Sequence, residues 1–129
     1  MEKVNRDVAV QEINKWLDVR KVPEKRREEL SGTVDVLVDA VVSGSLIVDK
    51  ATGGLELTVE SIDDKKLKFK PRIRAKELRV RVSKLSSAED AMGMQIAYAS
   101  ALTDVTMAVL ENLDMDEFKI VGAIVVFFT

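Results

Sequence analysis

Apolar residues in the first third of the chain recur at the spacing of an α-helix. One stripe predicts a helix that begins near Asn5 or Asp7 and ends near Arg20; it comprises Val10, Ile13, Trp16 and Leu17. Pro23 starts a second helix, which closes near Gly44. The stripe of this second helix comprises Leu30, Val34, Leu37, Val38 and Val41, and Gly32 falls outside it. Residues 1–44 are therefore predicted to be helical.

The middle of the chain, residues 45–74, changes to the two-residue period of β-strands. Apolar residues cluster at 46–48 and 55–59, with turn residues at 52–54 and 63–64. The last strand alternates most clearly, with Lys66, Lys68 and Lys70 on one face and Leu67 and Phe69 on the other. Because Pro71 cannot donate to a ladder, this strand ends there or lies at an edge. The pattern predicts a three-stranded antiparallel meander.

Helical spacing returns in residues 75–129. Ser86 with Glu89 predicts one helix cap, and Asp114 with Glu117 predicts another. Residues 75–85 fit no single element, whereas the apolar residues 120–128 favour a helix over a strand. A seam of small residues, where another helix can approach closely, comprises Gly93, Ala97 and Ala101. We expect one α+β domain over residues 1–129, with N-terminal helices, a central antiparallel meander and C-terminal helices.

Composition narrows the classes of protein. A chain of 129 residues suits one domain, and no apolar stretch approaches the roughly 20 residues of a membrane span. The polar first residues do not fit a signal peptide, so we expect a cytoplasmic protein without a membrane partner. With no Cys and no His, the chain excludes disulfides, Ser-His-Asp triads and histidine-ligated zinc. We expect no enzyme activity and no cofactor.

Carboxylates remain the main candidates for chemistry. Acidic pairs occur at 63–64, 89–90 and 116–117, and such pairs can hold a metal ion or hydrolyse glycosides. Turns and helix starts also favour acids, because a carboxylate accepts hydrogen bonds from unpaired backbone N–H groups. We favour this structural interpretation and keep a carboxylate-and-metal enzyme as a rival.

Charge is distributed unevenly along the sequence. Residues 65–84 carry a net charge of +9, whereas the remainder carries −11. The basic patch predicted from this segment comprises Lys66, Lys68, Lys70, Arg72, Arg74, Arg79 and Arg81. It fits a solvated face, a contact for an acidic protein or a nucleic-acid surface. Nucleic acid is the least favoured partner, because the pI is 5.3 and aromatic residues make up only 5% of the chain.

The second half resembles a family of known proteins. A strand ends in Phe69, Lys70 and Pro71, an Ala-Leu-Thr stretch follows at 101–103, and a Leu-Asp step occurs at 113–114 before an aromatic pair at 127–128. This order, over residues 55–129, resembles the small tail assembly chaperones of long-tailed bacteriophages. The sequence departs from that pattern at Asp104, where glycine is common, and in its helical first 45 residues.

The resemblance implies a non-catalytic protein in the cytoplasm of a bacterial host. Its partners would be the phage tape-measure and tail-tube proteins, whose apolar surfaces it would keep from aggregating, and it would form a homo-oligomer. The self-association or client face implied by the resemblance comprises Leu110, Leu113, Phe118, Val121, Val125 and Phe128. Two alternatives stay open: residues 120–128 form a core helix, or the chain is a phage structural or nucleic-acid-binding protein that uses residues 65–84.

Overall fold

The computed structural model describes residues 4–63, 65–87 and 90–129, which adopt an α+β fold. The N-terminal helices are α1 (Arg6–Val19), α2 (Glu24–Glu29) and α3 (Ser31–Val42). The strands are β1 (Leu46–Val48), β2 (Leu55–Thr58) and β3 (Lys66–Phe69). The C-terminal helices are α4 (Ala75–Val82), α5 (Ala91–Thr103), α6 (Met107–Leu110) and α7 (Met115–Val125), followed by a 3₁₀ turn at Val126–Phe128. The predicted fold class and order of elements are confirmed.

The N-terminal helices follow the predicted stripes with one break. Asn5 caps α1, since its side-chain oxygen accepts a hydrogen bond from the Asp7 N–H at 2.8 Å. The predicted second helix divides at Leu30, whose φ and ψ of −106° and 26° leave the helical region. The single-helix prediction for this stretch was therefore wrong. Gly44 closes α3 as expected, with a φ of 85° that other residues rarely adopt.

The strands form one antiparallel sheet in the order β1-β2-β3, as the meander predicts. Its inner face is apolar and buried: Leu55 lies opposite Phe69, and Leu57 lies opposite Leu67. Lys66 and Lys68 occupy the outer face of β3, which is an edge strand. Lysines on an edge strand discourage pairing with other chains.

The C-terminal helices settle the undecided segment and correct one cap. Residues 75–82 are α4. The N-cap of α5 is Asp90 rather than Ser86, because the Asp90 carboxylate accepts from the Gly93 N–H at 2.8 Å; Glu89 lies outside the described residues. Asp114 caps α7 as predicted, accepting from the Glu117 N–H at 2.8 Å. The preference for helix over strand in the last apolar run is confirmed.

The core lies between the helices and the inner face of the sheet. Helix α7 packs on α3 and α5, and it buries Val121, Ile124 and Val125. The Trp16 ring of α1 meets the Phe127 ring edge to face, with centroids 5.9 Å apart. The first and last helices therefore close one hydrophobic cluster, and residues 120–128 contribute to the core.

Two arginines hold the end of the last helix. Arg20 donates to the carbonyl oxygens of Phe127, at 3.2 Å, and Pro71, at 2.8 Å. Arg26 donates to the Val126 carbonyl oxygen at 2.9 Å. Burial lowers the pKa of the Arg20 guanidinium. Cations satisfy the unpaired carbonyls at the negative end of a helix, so these contacts fix the C-terminal turn.

Helix α4 has no buried residue and is held by polar contacts. The Arg81 Nε donates to the Ser100 hydroxyl of α5 at 2.8 Å, and the Lys70 ammonium donates to the Glu77 carboxylate at 2.8 Å. The hydrogen bond from Lys70 lowers the pKa of Glu77, and its partner Glu77 raises the pKa of Lys70. Ion pairs thus supply much of what attaches α4 to the rest of the protein.

The small-residue seam of α5 is buried, as its composition suggests. Ala97 and Ala101 are fully buried, and a side chain at Gly93 would meet Leu85 at 3.0 Å. Since Ser100 bonds to Arg81 and Gly93 approaches Leu85, α4 and the residues after it cover this side of α5. Within the described residues, no helix has the length and apolar character of a membrane span.

Candidate functional site

The six residues predicted as one client face occupy two environments. Leu110, Val121 and Val125 are buried in the core, with exposures of 1%, 0% and 4%. Leu113, Phe118 and Phe128 are partly buried. The six therefore share no exposed face in this fold. Val121 and Val125 lie on the side of α7 that fills the core, where a partner could reach them only if the helix moved.

Three of the six come together in a groove at the ends of α5, α6 and α7. Leu110, Leu113 and Phe118 line this depression, which has a volume of about 380 Å³. We call it the methionine groove, because three of the chain's five methionines line it. Its complete lining is Leu85, Asp90, Met92, Gly93, Ile96, Met107, Leu110, Glu111, Leu113, Met115 and Phe118.

Helix caps place the walls of the methionine groove. Asp90 begins α5 just before Met92, and Asp114 begins α7 just before Met115. Between them the chain reverses at Asp104, whose φ of 60° is left-handed, and Thr106 then caps the single turn of α6. The first turns of α5 and α7 and the short helix α6 therefore all contribute to the lining.

Methionines form the exposed part of the groove and aliphatic residues form its floor. Met92 and Met115 are 54% and 58% exposed, whereas Leu110 and Ile96 are 1% and 7% exposed. Methionine side chains are flexible and polarizable, so they adapt to differently shaped apolar partners. Such a surface can bind apolar side chains without fixing their sequence.

The lining carries negative charge only. Asp90 and Glu111 are its two ionisable residues. The Asp90 carboxylate already caps α5, whereas Glu111 is exposed. Lys84 and Lys119 adjoin lining residues in the sequence, but neither lines the groove. The groove is thus apolar inside with acidic residues at its margin.

The predicted basic patch divides into paired and unpaired cations. Lys66 lies 3.3 Å from Glu56, Lys70 lies 3.3 Å from Asp104, and Arg81 lies 3.7 Å from the same carboxylate. Within the patch, the exposed side chains that form no ion pair with the described residues are those of Lys68, Arg72, Arg74 and Arg79. Part of the patch therefore stabilises this chain's own fold.

One residue from each of two acidic pairs has a structural role in the part of the chain that the structure describes. Asp90 caps α5, and Glu117 accepts from the Ser61 hydroxyl and from the Glu60 N–H. These contacts confirm the structural interpretation for both residues; Asp64 and Glu89 lie outside the described residues. Over the described part of the chain, no group of three acidic residues is arranged to hold a metal ion.

A wider depression, of about 760 Å³, lies on the outer face of the sheet. Its polar groups are largely occupied by internal bonds. The Asp49 carboxylate accepts from the N–H groups of Ala51 and Thr52, which lower its pKa, and Lys70 is paired with Glu77. We favour the methionine groove as the candidate site because two large apolar side chains of its lining, Met92 and Met115, are more than half exposed.

Sequence reasoning missed most of the groove. Leu85, Met92, Met107 and Met115 were not singled out, since they belong to four different segments. The available indication was the density of methionine, as four of the five methionines fall between residues 92 and 115. Which of them share a surface depends on how the helices pack, and Met94 does not line the groove.

Comparison with known proteins adds no relative to this description. Set against protein-family models, curated proteins and solved structures, the chain has no significant match in any of the three.

Proposed function

We propose that this chain is a non-catalytic assembly chaperone that shields apolar segments of partner proteins in the methionine groove. The observation that carries the proposal is the groove itself, with Met92 and Met115 both more than half exposed at its mouth. Exposed apolar clusters on soluble proteins mark sites of interaction with other molecules. A flexible methionine lining suits a chaperone, which must accept apolar segments of more than one sequence.

The resemblance to phage tail assembly chaperones gives the proposal its specific form. In that form the clients are the tape-measure and tail-tube proteins, held in the bacterial cytoplasm until the tail assembles. Leu110, Leu113 and Phe118, which the resemblance implies as client contacts, line the methionine groove. Their place in the groove supports the proposal, whereas Val121 and Val125 serve the core.

The test is co-expression with a tape-measure protein of a long-tailed bacteriophage. We expect the chain to keep that protein soluble and to co-purify with it. Met115→Glu should abolish both effects, because it places a charge at the mouth of the groove, where Met115 is 58% exposed. The measurement is the soluble fraction of the tape-measure protein and the yield of the complex.

Val8→Glu is the matched control. Val8 is 44% exposed in the first turn of α1, where an acid suits the helix dipole, and it does not line the groove. Circular dichroism should show that both variants keep the fold. A tape-measure protein that is equally soluble without the chain, or equally helped by Met115→Glu, contradicts the proposal.

A further inference from the structure

The walls of the methionine groove offer side chains rather than backbone groups to a partner. Helices α5, α6 and α7 supply most of its lining, and the caps Asp90, Thr106 and Asp114 accept hydrogen bonds from N–H groups in their first turns. An extended peptide would bring its own unpaired N–H and C=O groups to this surface without partners for them. A helix satisfies its backbone internally, so a helical occupant fits the groove better.

The size of the groove points to the anchors of an amphipathic helix. A volume of about 380 Å³ is at the lower end of ligand pockets, which span about 300–1,000 Å³. The floor is aliphatic, at Ile96 and Leu110, with Phe118 at one side. A few large apolar side chains from one face of a helix would fill this space, leaving the polar face outside.

Charge selects among amphipathic helices. The two ionisable lining residues are Asp90 and Glu111, and the neighbouring cations Lys84 and Lys119 do not line the groove. Cationic side chains that flank the apolar face of a partner helix would therefore meet opposite charge at the margin. Anionic side chains in the same places would meet like charge, which opposes binding.

We infer that the methionine groove binds an amphipathic helix whose apolar face is flanked by Lys or Arg. The inference rests on the proposed function and names the chemistry of its client. It further implies that client helices with acidic flanks are rejected, which the proposed function alone does not require.

The test uses designed peptides and methionine methyl NMR. One probe is a helical peptide of about 18 residues, long enough to form a helix, with leucines on one face and lysines on the other. A second probe replaces every lysine with glutamate. In the protein labelled at the methionine methyl groups, we expect the lysine peptide to shift Met92, Met107 and Met115. Met94, which does not line the groove, is the internal reference. The glutamate peptide should bind at least about tenfold more weakly.

Charge variants separate local from overall electrostatics. Glu111→Lys should reduce or reverse the difference in affinity between the lysine peptide and the glutamate peptide. Glu28→Lys changes the net charge by the same amount, but Glu28 lies on α2 and does not line the groove. This variant should therefore leave the difference in affinity between the two peptides unchanged. Equal binding of both peptides, or equal effects of both variants, overturns the inference.

Two further outcomes distinguish this inference from the proposed function. If neither peptide shifts the methyl signals of the three methionines but the tape-measure protein does, the groove binds a client of another kind. The inference is then overturned, whereas the proposed function stands. If the same methyl groups shift with protein concentration and no peptide, the occupant is a second copy. That outcome overturns the inference. The segment of the second copy that enters the groove would then be α4, which carries Lys76, Arg79 and the exposed Val80.

Discussion

Arg20 shows how one side chain can join three parts of a chain. It extends from the end of α1, donates to carbonyls of Pro71 and Phe127, and lies over the Phe128 ring at 3.4 Å from the centroid. A guanidinium reaches several acceptors at once because its donors are spread in a planar fork. The two bonds come from different nitrogens of the guanidinium, whereas an ammonium carries its three donors on one atom.

Removing the Arg20 guanidinium should destabilise the protein more than removing a surface guanidinium. We expect Arg20→Met to lower the free energy of unfolding by about 2 kcal/mol, since hydrogen bonds that involve a charged group contribute about 1.5–3 kcal/mol each. Arg20→Lys should recover little of the loss. Urea unfolding followed by circular dichroism measures the change.

The comparison variant is Arg6→Met. Arg6 bonds to Asp39 at 2.7 Å, but both side chains are more than half exposed, and such pairs stabilise proteins weakly. The unfolding midpoint of the Arg6→Met variant should remain close to that of the unsubstituted protein. If the two variants lose equal stability, the carbonyl contacts of Arg20 are not the source of its effect.

At the scale of elements, α4 differs from its neighbours because charge, rather than burial, attaches it. Glu77 is bonded to Lys70, and Asp104 lies near both Lys70 and Arg81. The lowered pKa of Glu77 means that its ionised form is favoured by the fold. The contribution of Glu77 is therefore present above the pKa of an unfolded-state glutamate and is lost as the pH falls through the lower, folded-state value.

Acid should consequently loosen α4 before it unfolds the remainder. We expect amide exchange in residues 78–82, corrected for the intrinsic rate, to accelerate as the pH falls below about 4, near the ordinary glutamate pKa. Amides of α3, whose apolar stripe is buried, should keep their protection over the same range. In Glu77→Gln, the amides of α4 should exchange faster at neutral pH, and their exchange rate should rise less as the pH falls. A uniform response of α3 and α4 would contradict this account.

Elements with a clear period were predictable, whereas their ends and their packing were less so. The alternation around Leu67 and Phe69 identified β3, and the stripe through Ile13 and Trp16 identified α1. The break at Leu30 was missed although Ser31 and Gly32, which are weak helix formers, follow it directly. Asp90 replaced Ser86 as a cap because a carboxylate directly before the first turn can reach the Gly93 N–H.

The candidate site was less predictable than the fold for a related reason. Periodicity shows that Val121 and Phe118 lie on an apolar helix, but it does not show which face meets α3 and which meets the groove. Exposure of a given methionine depends equally on the packing of other helices. Hence Leu110, Leu113 and Phe118 were found from sequence, while Met92 and Met115 required the structure.

At the scale of the molecule, the first helix and the last turn close the core together. Trp16 lies against both Phe127 and Phe128, with ring centroids 5.9 and 6.1 Å apart. Helix α7 also packs on α3, so α3 loses part of its cover without the end of α7. This arrangement makes the single tryptophan a reporter of closure.

Removing residues 126–129 should open this closure. We expect the truncated protein to show a red-shifted Trp16 emission, because the ring loses its aromatic neighbours and gains water. Its thermal midpoint should also fall, since Phe127 is buried and the partners of Arg20 and Arg26 are lost. Thr129→Ala, which leaves the two rings in place, is the control. An unchanged emission spectrum in the truncated protein would show that the two rings do not shield Trp16.

Self-association stays a prediction, and the position of the core changes its expected form. Since Val121 and Val125 are buried within one chain, the methionine groove and the cations of α4 and β3 are better candidates for an oligomer interface. Light scattering at low and high salt distinguishes these surfaces. We expect an association through the groove to survive high salt, whereas one through the cations should weaken as salt screens the charges.

The packing of α7 against α3 also bears on how the protein is made. The N-terminal helices leave the ribosome before α7, and the apolar stripe that contains Leu37, Val38 and Val41 lacks α7 until that later helix is synthesised. Folding cannot be completed on a nascent chain that still holds α7 inside the ribosome. In the cell, the newly made protein therefore passes through a stage in which it exposes apolar surface of its own.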